Sequence, residues 1–197
     1  FDFDQPNHPN GITLETGSTA TIQHSVIKNA YYGVYINGAI PSISYSDFID
    51  NEVGIYAYQS DYEVSLYDGL MLLNNNFYGN DGGIVLNESS PLLMSNTFEE
   101  NNVAIYCVDQ SNALFGEYID PGTNALHNNV CGLFTDYSSP TLGIDMGIWG
   151  YVAGFNSFDG NQINIYANDY SNISAHLNWW GDNPPDDNLF IEFDSYI

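Results

Sequence analysis

One frame recurs along this chain: Asn-x-Phe-x-x-Asn, then a small residue and Ile-Tyr. It aligns six segments: HSVIKN-AYYGVYI, SDFIDN-EVGIYAY, NNFYGN-DGGIVLN, NTFEEN-NVAIYCV, NALHNN-VCGLFTD and NSFDGN-QINIYAN. The second Asn forms the column Asn29, Asn51, Asn80, Asn101, Asn129 and Asn161, with one extra residue after the Asn of the first segment. Three residues earlier stand Val26, Phe48, Phe77, Phe98, Leu126 and Phe158; five earlier stand His24, Ser46, Asn75, Asn96, Asn124 and Asn156. After it come Gly33, Gly54, Gly83, Ala104, Gly132 and Asn164, each followed by an aliphatic residue. A partial unit opens at Gly11, and the small-residue sites lie 21 to 32 residues apart. A short unit with occasional insertions is the signature of a repeat architecture.

Each unit contains short alternating runs rich in β-branched and aromatic residues, broken by Asn or Gly, with no helical periodicity. That pattern predicts an all-β parallel β-helix, a solenoid of about seven coils. Successive coils then stack about 4.8 Å apart, and every residue lies over its equivalent. Phe over Phe and Ile over Ile fill the core. An Asn at a turn bonds the Asn above and below it and tolerates the left-handed backbone of a tight bend. The column Asn29 to Asn161 therefore reads as a structural ladder. The cues IPSIS, SSPLL, SSPTL and YSNIS read as turns entering a short strand. The organisation expected is one β-helix domain over 1–197, with a lead-in at 1–10, coils over 11–181 and a cap or tail at 182–197.

The charge balance narrows the partners. Against 25 acidic residues stands a single Lys28 and no Arg, for a net charge of −24. Such a surface repels nucleic acid and anionic membranes. No apolar run is long enough to cross a bilayer. The expectation is an extracellular or cell-surface protein with no nucleic-acid partner and no membrane insertion. Cys107 and Cys131 fit no metal or redox spacing, and the frame places them about four residues apart along adjacent strands, too far for a disulfide. Two buried free thiols are expected.

The repeated Asn-x-Phe-x-x-Asn-x-x-Gly-Ile-Tyr, separated by Ser-Ser-Pro-x-Leu turns, resembles right-handed parallel β-helix repeat proteins of the pectate-lyase-like superfamily. The segment Asn178-Trp179-Trp180-Gly181, followed by prolines, resembles the closing segment of secreted bacterial β-helix surface proteins. The resemblance implies a right-handed coil and a carbohydrate-binding or sugar-hydrolysing background. Trp179 and Trp180 sit where a further Phe and Asn are expected, and are read as a cap over the open end of the core.

The lyases of this superfamily resemble one another in using calcium with Arg or Lys as base or carboxylate clamp. This chain has no Arg, and Lys28 is expected to be exposed, so a lyase is disfavoured. No Gly-His-Gly or Arg-x-Lys pattern of the polygalacturonase kind is present. His8, His24, His127 and His176 occupy different frames of the repeat. Glycoside hydrolysis needs only two suitably placed carboxylates, so it stays open; no catalytic residue is assigned.

Three surface features stand as candidates. The outward column Tyr35, Tyr56, Val85, Tyr106, Phe134 and Tyr166 reads as an aromatic binding face, for sugar rings or another subunit. Asp50, Glu52, Asp81, Glu99, Glu100 and Asp159 gather near the turn Asn, where a calcium ion is the natural bridge between like charges; Asp182, Asp186 and Asp187 in the tail form a weaker group. The insertions at 60–69, 117–123 and 143–154 are aromatic and acidic, and are expected on related turns. The expected role is a non-enzymatic structural or adhesion module, acting through the aromatic face and acidic loops with calcium-assisted assembly. Its partners are other copies of itself or a surface glycan or protein. The alternative is binding or hydrolysis of a neutral glycan.

Overall fold

The computed structural model describes residues 1–3, 10–63, 68–117, 120–145, 151–182 and 186–192; the side chains of residues 62, 63, 68, 145 and 151–153 are not described. Its strands form three parallel sheets that run the length of a solenoid. The long sheet has eight strands, among them Ile12–Glu15, Tyr32–Asn37, Val53–Tyr58, Gly82–Asn87, Val103–Val108, Cys131–Asp136, Ile163–Asn168 and Phe190–Glu192. A phenylalanine sheet of six short strands runs from Val26–Lys28 to Ser157–Asp159. The third, entry sheet contains Thr21–Gln23, Ser42–Ser44, Met71–Leu73 and Leu92–Met94, and continues through an isolated bridge at Leu114 to Thr141–Asp145 and Ser174–Ala175. Each coil passes from the entry sheet to the phenylalanine sheet at a first corner, to the long sheet at a second, and back at a third.

The core is a set of ladders. Phe48, Phe77 and Phe98 are fully buried and stack with ring centroids 4.8 and 4.7 Å apart and planes within 9° of parallel. Val34, Ile55, Ile84, Ile105, Leu133 and Ile165 stack in register on the inner face of the long sheet. The small residue before each aliphatic one is required by the next coil. A Cβ at Gly54 would lie 2.6 Å from the Gly83 carbonyl oxygen and 2.9 Å from the Phe77 ring. The ladder skips this residue, pairing Gly82 with Val103 and then Ile84 with Ile105.

The second corner carries the amide ladder. The Asn101 carbonyl oxygen Oδ1 accepts from the Asn80 backbone N–H (3.0 Å) and from Asn80 Nδ2 (3.0 Å). Asn101 Nδ2 in turn donates to Asn129 Oδ1 (3.0 Å) and to the Phe77 carbonyl (3.0 Å). Asn51, Asn80 and Asn129 repeat the arrangement, and Asn161 ends the ladder by donating to the Leu126 carbonyl (2.7 Å) and to Asn164 Oδ1 (3.1 Å) of its own coil; all are buried. A second amide ladder, Asn75, Asn96, Asn124, Asn156 and Asn178, occupies the first corner. At the third corner the hydroxyls of Ser89, Ser111, Ser138 and Ser171 accept the backbone N–H of the preceding coil's serine.

Asn29 is not a member of the ladder. The register pairs Ile27 with Phe48, so the first coil is aligned one residue later than the sequence frame. Ile27 is buried and Val26 is exposed; Ala30, whose N–H donates to Asn51 Oδ1 (3.1 Å), holds the ladder position. Likewise Ser25, not His24, stands at the first corner, where its N–H donates to Ser46 Oγ (3.2 Å). With this shift the extra residue of the first segment disappears. The left-handed backbone also lies one residue before the ladder Asn, at Asn29, Asp50, Gly79, Glu100, Asn128 and Gly160. The amide is thus free to bond along the axis while its neighbour makes the bend.

At the C-terminal end Trp180 takes the phenylalanine position and stacks on Phe158 at 4.7 Å, with Phe190 edge-on at 5.1 Å. Trp179 does not join this cap. It pairs with Ser157, whose side faces outward, and is 50% exposed. Only two of the three insertions share a turn. That at 60–69 lies at the third corner and contains the antiparallel pair Tyr62–Glu63 with Asp68–Gly69; those at 117–123 and 143–154 both lie between the entry and phenylalanine sheets. Cys131 faces Val103, and Cys107 faces Thr135 on the next strand, four residues along. Both thiols are free and buried, as the frame predicts.

Replacing Asn101 by Ala leaves the Asn80 N–H without its acceptor in a dry interior and is expected to cost about 3 kcal/mol in urea unfolding. Asn29→Gly, which keeps the left-handed backbone (φ 60°) and removes only an exposed bond to Asp2 (2.7 Å), is expected to cost under about 1 kcal/mol. Equal losses would contradict the assignment of the ladder to Ala30.

Candidate functional site

Outside the core, the long sheet presents one aromatic column. Tyr35, Tyr56, Val85, Tyr106, Phe134 and Tyr166 lie in register on consecutive strands and are half-buried. Tyr35 and Tyr56 stack at 5.5 Å and 13°, and Phe134 and Tyr166 at 5.2 Å and 18°. Near-parallel rings at this separation cover much of one another's faces, so the column turns ring edges and phenol oxygens outward. Val85 interrupts the column between Tyr56 and Tyr106, and Tyr106 and Phe134 are tilted by 51° at 5.3 Å. Tyr31 and Tyr32 join its first half: Tyr32 lies 5.0 Å from Tyr56, and Tyr31 meets Tyr32 edge-on at 4.5 Å. The frame passes over these two because the first segment is read one residue out of register.

Burial, reinforced by the neighbouring Tyr31, pushes the Tyr32 phenol up to about 12. Tyr56 and Tyr106 shift in the same direction, again mainly through burial, with Asp109 adding to Tyr56 and Asp81 to Tyr106. Acids therefore flank the column from both corners of the long sheet. Burial also pushes the Cys131 thiol up to about 12 and Cys107 higher still, which keeps both as unreactive thiols.

The acids assigned to a calcium bridge divide into two groups. Asp50, Glu52, Asp81 and Glu100 line a shallow concavity of about 470 Å³ at the second corner, with Asn102 and Gly79. Glu99 and Asp159 stand apart, on the outer face of the phenylalanine sheet with His127 between them in register. Among the described residues no three Asp, Glu, His or Cys side chains converge as a metal-holding group. In the tail, Asp186 accepts bonds from the Asn188 N–H (3.0 Å) and Nδ2 (2.8 Å) at a short turn, away from the corner acids.

Several carboxylates have an amide partner one coil away. Asn37 donates to Glu15 (2.7 Å), Gln59 to Glu88 (2.8 Å), Asn102 to Asp81 and Asn168 to Asp136 (3.4 Å). The Glu100 carboxylate accepts from the Tyr78 hydroxyl (2.6 Å), which raises the Tyr78 pKa. These neutral donors orient the acids without cancelling their charge. Lys28, 2.8 Å from Asp2, forms the ion pair of the first coil.

A second concavity, about 690 Å³, lies at the third corner beside the 60–69 insertion. Asp61, Glu88, Ser90, Asp109, Gln110 and Tyr137 line it. Within the insertions, Tyr67, Tyr118 and Trp149 lie outside the described residues, as do the side chains of Tyr62, Asp68, Asp145 and Tyr151. A third hollow of about 310 Å³ adjoins the cap, between Ile173, Ala175, His176, Trp180 and Phe190. His127 bonds Ser157 Oγ at 3.0 Å and His24 stacks on Tyr45, so these two histidines have structural neighbours; His8 lies outside the described residues.

Stacked parallel sheets closed by three corner ladders define an all-β solenoid. A family model described as right-handed beta helix region matches residues 5–183, and the chain belongs to that family. Neither the curated proteins nor the solved structures yield a match.

The raised phenols set an alkaline limit on stability. In the unfolded chain tyrosine ionises near pH 10; in the folded chain Tyr32 holds its proton to about pH 12. Between these values the unfolded state binds fewer protons, so stability falls as pH rises. The urea midpoint is expected to drop between pH 10 and 12, together with a late phase in the 295 nm phenolate absorbance. The Tyr32→Phe variant is expected to lose part of that phase.

Proposed function

We propose that this chain is a non-enzymatic adhesion or assembly module of the extracellular space or cell surface, of the secreted bacterial type suggested by Asn178-Trp179-Trp180-Gly181. The observation that carries this reading is the in-register aromatic column on the outer face of the longest sheet. Ring edges and hydroxyls over successive coils suit contact with another flat protein surface, including a second copy of the chain. A net charge of −24 opposes such contact between copies. Association is therefore expected to need screening, and calcium, drawn to Asp50, Glu52, Asp81 and Glu100, is the proposed counter-ion. A second reading, glycan binding or hydrolysis, is favoured by one observation: Asp61, Glu88 and Asp109 share a concavity with the exposed ring of Tyr137.

Sedimentation in calcium, in chelator and in sodium chloride at matched ionic strength tests the first reading. Wild type is expected to form dimers or larger species in calcium. The Tyr35→Ser/Tyr56→Ser/Tyr106→Ser variant is expected to remain monomeric while keeping its β-sheet circular dichroism. A monomer under every condition, with no adhesion to immobilised protein, rejects the reading. Incubation with neutral glycans and mass analysis of the products addresses the second: shortened chains would make the protein a hydrolase.

A further inference from the structure

Every coil passes the third corner through a residue with left-handed backbone. Early coils use Gly38, Gln59 and Glu88; the later ones use the pair Asp109-Gln110, then Tyr137, then Asp169-Tyr170. Tyr45, Phe155 and Leu177 at the first corner adopt it too, so the conformation itself marks no site. The two tyrosines of the third corner are displayed: Tyr137 is 54% and Tyr170 74% exposed. Their rings stand 6.0 Å apart at 82°, so they form two walls at right angles, unlike the self-covered rings of the long sheet.

Tyr137 is one wall of the 690 Å³ concavity, and the other described residues that line it are polar. Asp61 accepts from the Ser90 N–H at 2.8 Å and Glu88 from Gln59 Nε2 at 2.8 Å. Both donors are neutral, so the two carboxylates keep their charge, and Asp109 adds a third. The single Lys of the chain is on the first coil, three coils or more from Tyr137. A site with an open aromatic face and uncompensated carboxylates is complementary to a ring that carries a positive charge. The concavity falls in the range of small-ligand pockets and is far wider than one lysine side chain needs.

We infer that this corner binds an amino-sugar chain with free, protonated amines. The pyranose lies against Tyr137, the ammonium sits among Asp61, Glu88 and Asp109, and the hydroxyls meet Ser90 and Gln110. The inference narrows the glycan reading given above from a neutral to a cationic sugar, rests on that reading, and is independent of the aromatic column.

Calorimetric titration with the tetramer of glucosamine, and with its fully N-acetylated counterpart, tests it at mildly acidic pH and about 0.15 M salt, where surface charges are screened beyond roughly 8 Å. The free-amine tetramer is expected to bind at least about tenfold more tightly than the N-acetylated one, a difference of about 1.4 kcal/mol. Glu88→Gln/Asp109→Asn, and separately Tyr137→Asn, which suits the left-handed backbone, are each expected to weaken binding at least about tenfold. Glu15→Gln/Asp47→Asn removes the same charge on the early coils and is expected to leave binding unchanged. Circular dichroism and urea midpoints establish that each variant is folded.

Equal affinity for the two tetramers overturns the amine selectivity and leaves the glycan reading standing. Equal weakening by the control pair, or equal binding of tetralysine, reduces the effect to general attraction by a polyanion and overturns the site. Binding of neither tetramer overturns both this inference and glycan binding at this corner, and leaves assembly through the aromatic column untouched.

Discussion

Along two corners of this solenoid a buried Asn amide bonds to the same amide one coil away. That pairing sets the shape of the whole molecule. An Asn at the second corner accepts at Oδ1 from the amide and backbone N–H of the coil before, and its Nδ2 donates to the next coil's amide and to a backbone carbonyl of the coil before. The amide group is planar, so a coil cannot slip sideways without breaking several of these bonds together. Phenyl rings with centroids 4.7–4.8 Å apart then stack without adjustment, because the ladder has already fixed the rise. Small residues before the inner aliphatic column follow from the same closeness, since the next coil's carbonyl occupies the space of a side chain.

The same geometry shapes the surface. Any residue type repeated in the frame becomes a column, and a column of acids one coil apart is repulsive. The chain relieves this by placing amides next to acids, as at Asn37 with Glu15 and Gln59 with Glu88. A lysine in those positions would neutralise the surface, whereas an amide orients the carboxylate and keeps it charged. The outcome is a strongly negative exterior that carries two sets of aromatic groups. On the long sheet those groups cover one another; at the third corner Tyr137 and Tyr170 do not. Assembly and ligand capture therefore fall to different faces.

Strand type, period, the ladder from Asn51 to Asn161, the inner aliphatic column, the aromatic column and the separation of the two thiols were all legible in the residues. They are consequences of repetition, and repetition is visible in one dimension. The errors came where repetition is weakest. In the first segment Val26, Ile27, Asn29 and Ala30 offer two alignments one residue apart, and both place an apolar residue at the core position. The hydrogen bond from the Ala30 N–H to Asn51 decides between them, and it exists only between coils. Trp179 and Trp180 pose the same difficulty, since neighbours on a strand face opposite ways and only the pairing of Trp179 with Ser157 shows which ring enters the core.

The sequence by itself determined that this chain winds into stacked coils, because a regular spacing of Asn, Phe and small residues has one economical packing: each over its own kind. Tertiary structure alone decided what that packing does to side chains outside the frame. Glu99 and Glu100 are adjacent in the chain, yet one joins the outer face of a sheet and the other a corner concavity, because the chain bends between them. Asp61, Glu88 and Asp109 are dozens of residues apart and share one hollow, because three coils bring the same corner together. Alignment along the axis is encoded locally and can be read; convergence around a corner depends on the bend angle and on the insertion beside it, and those follow from the whole fold.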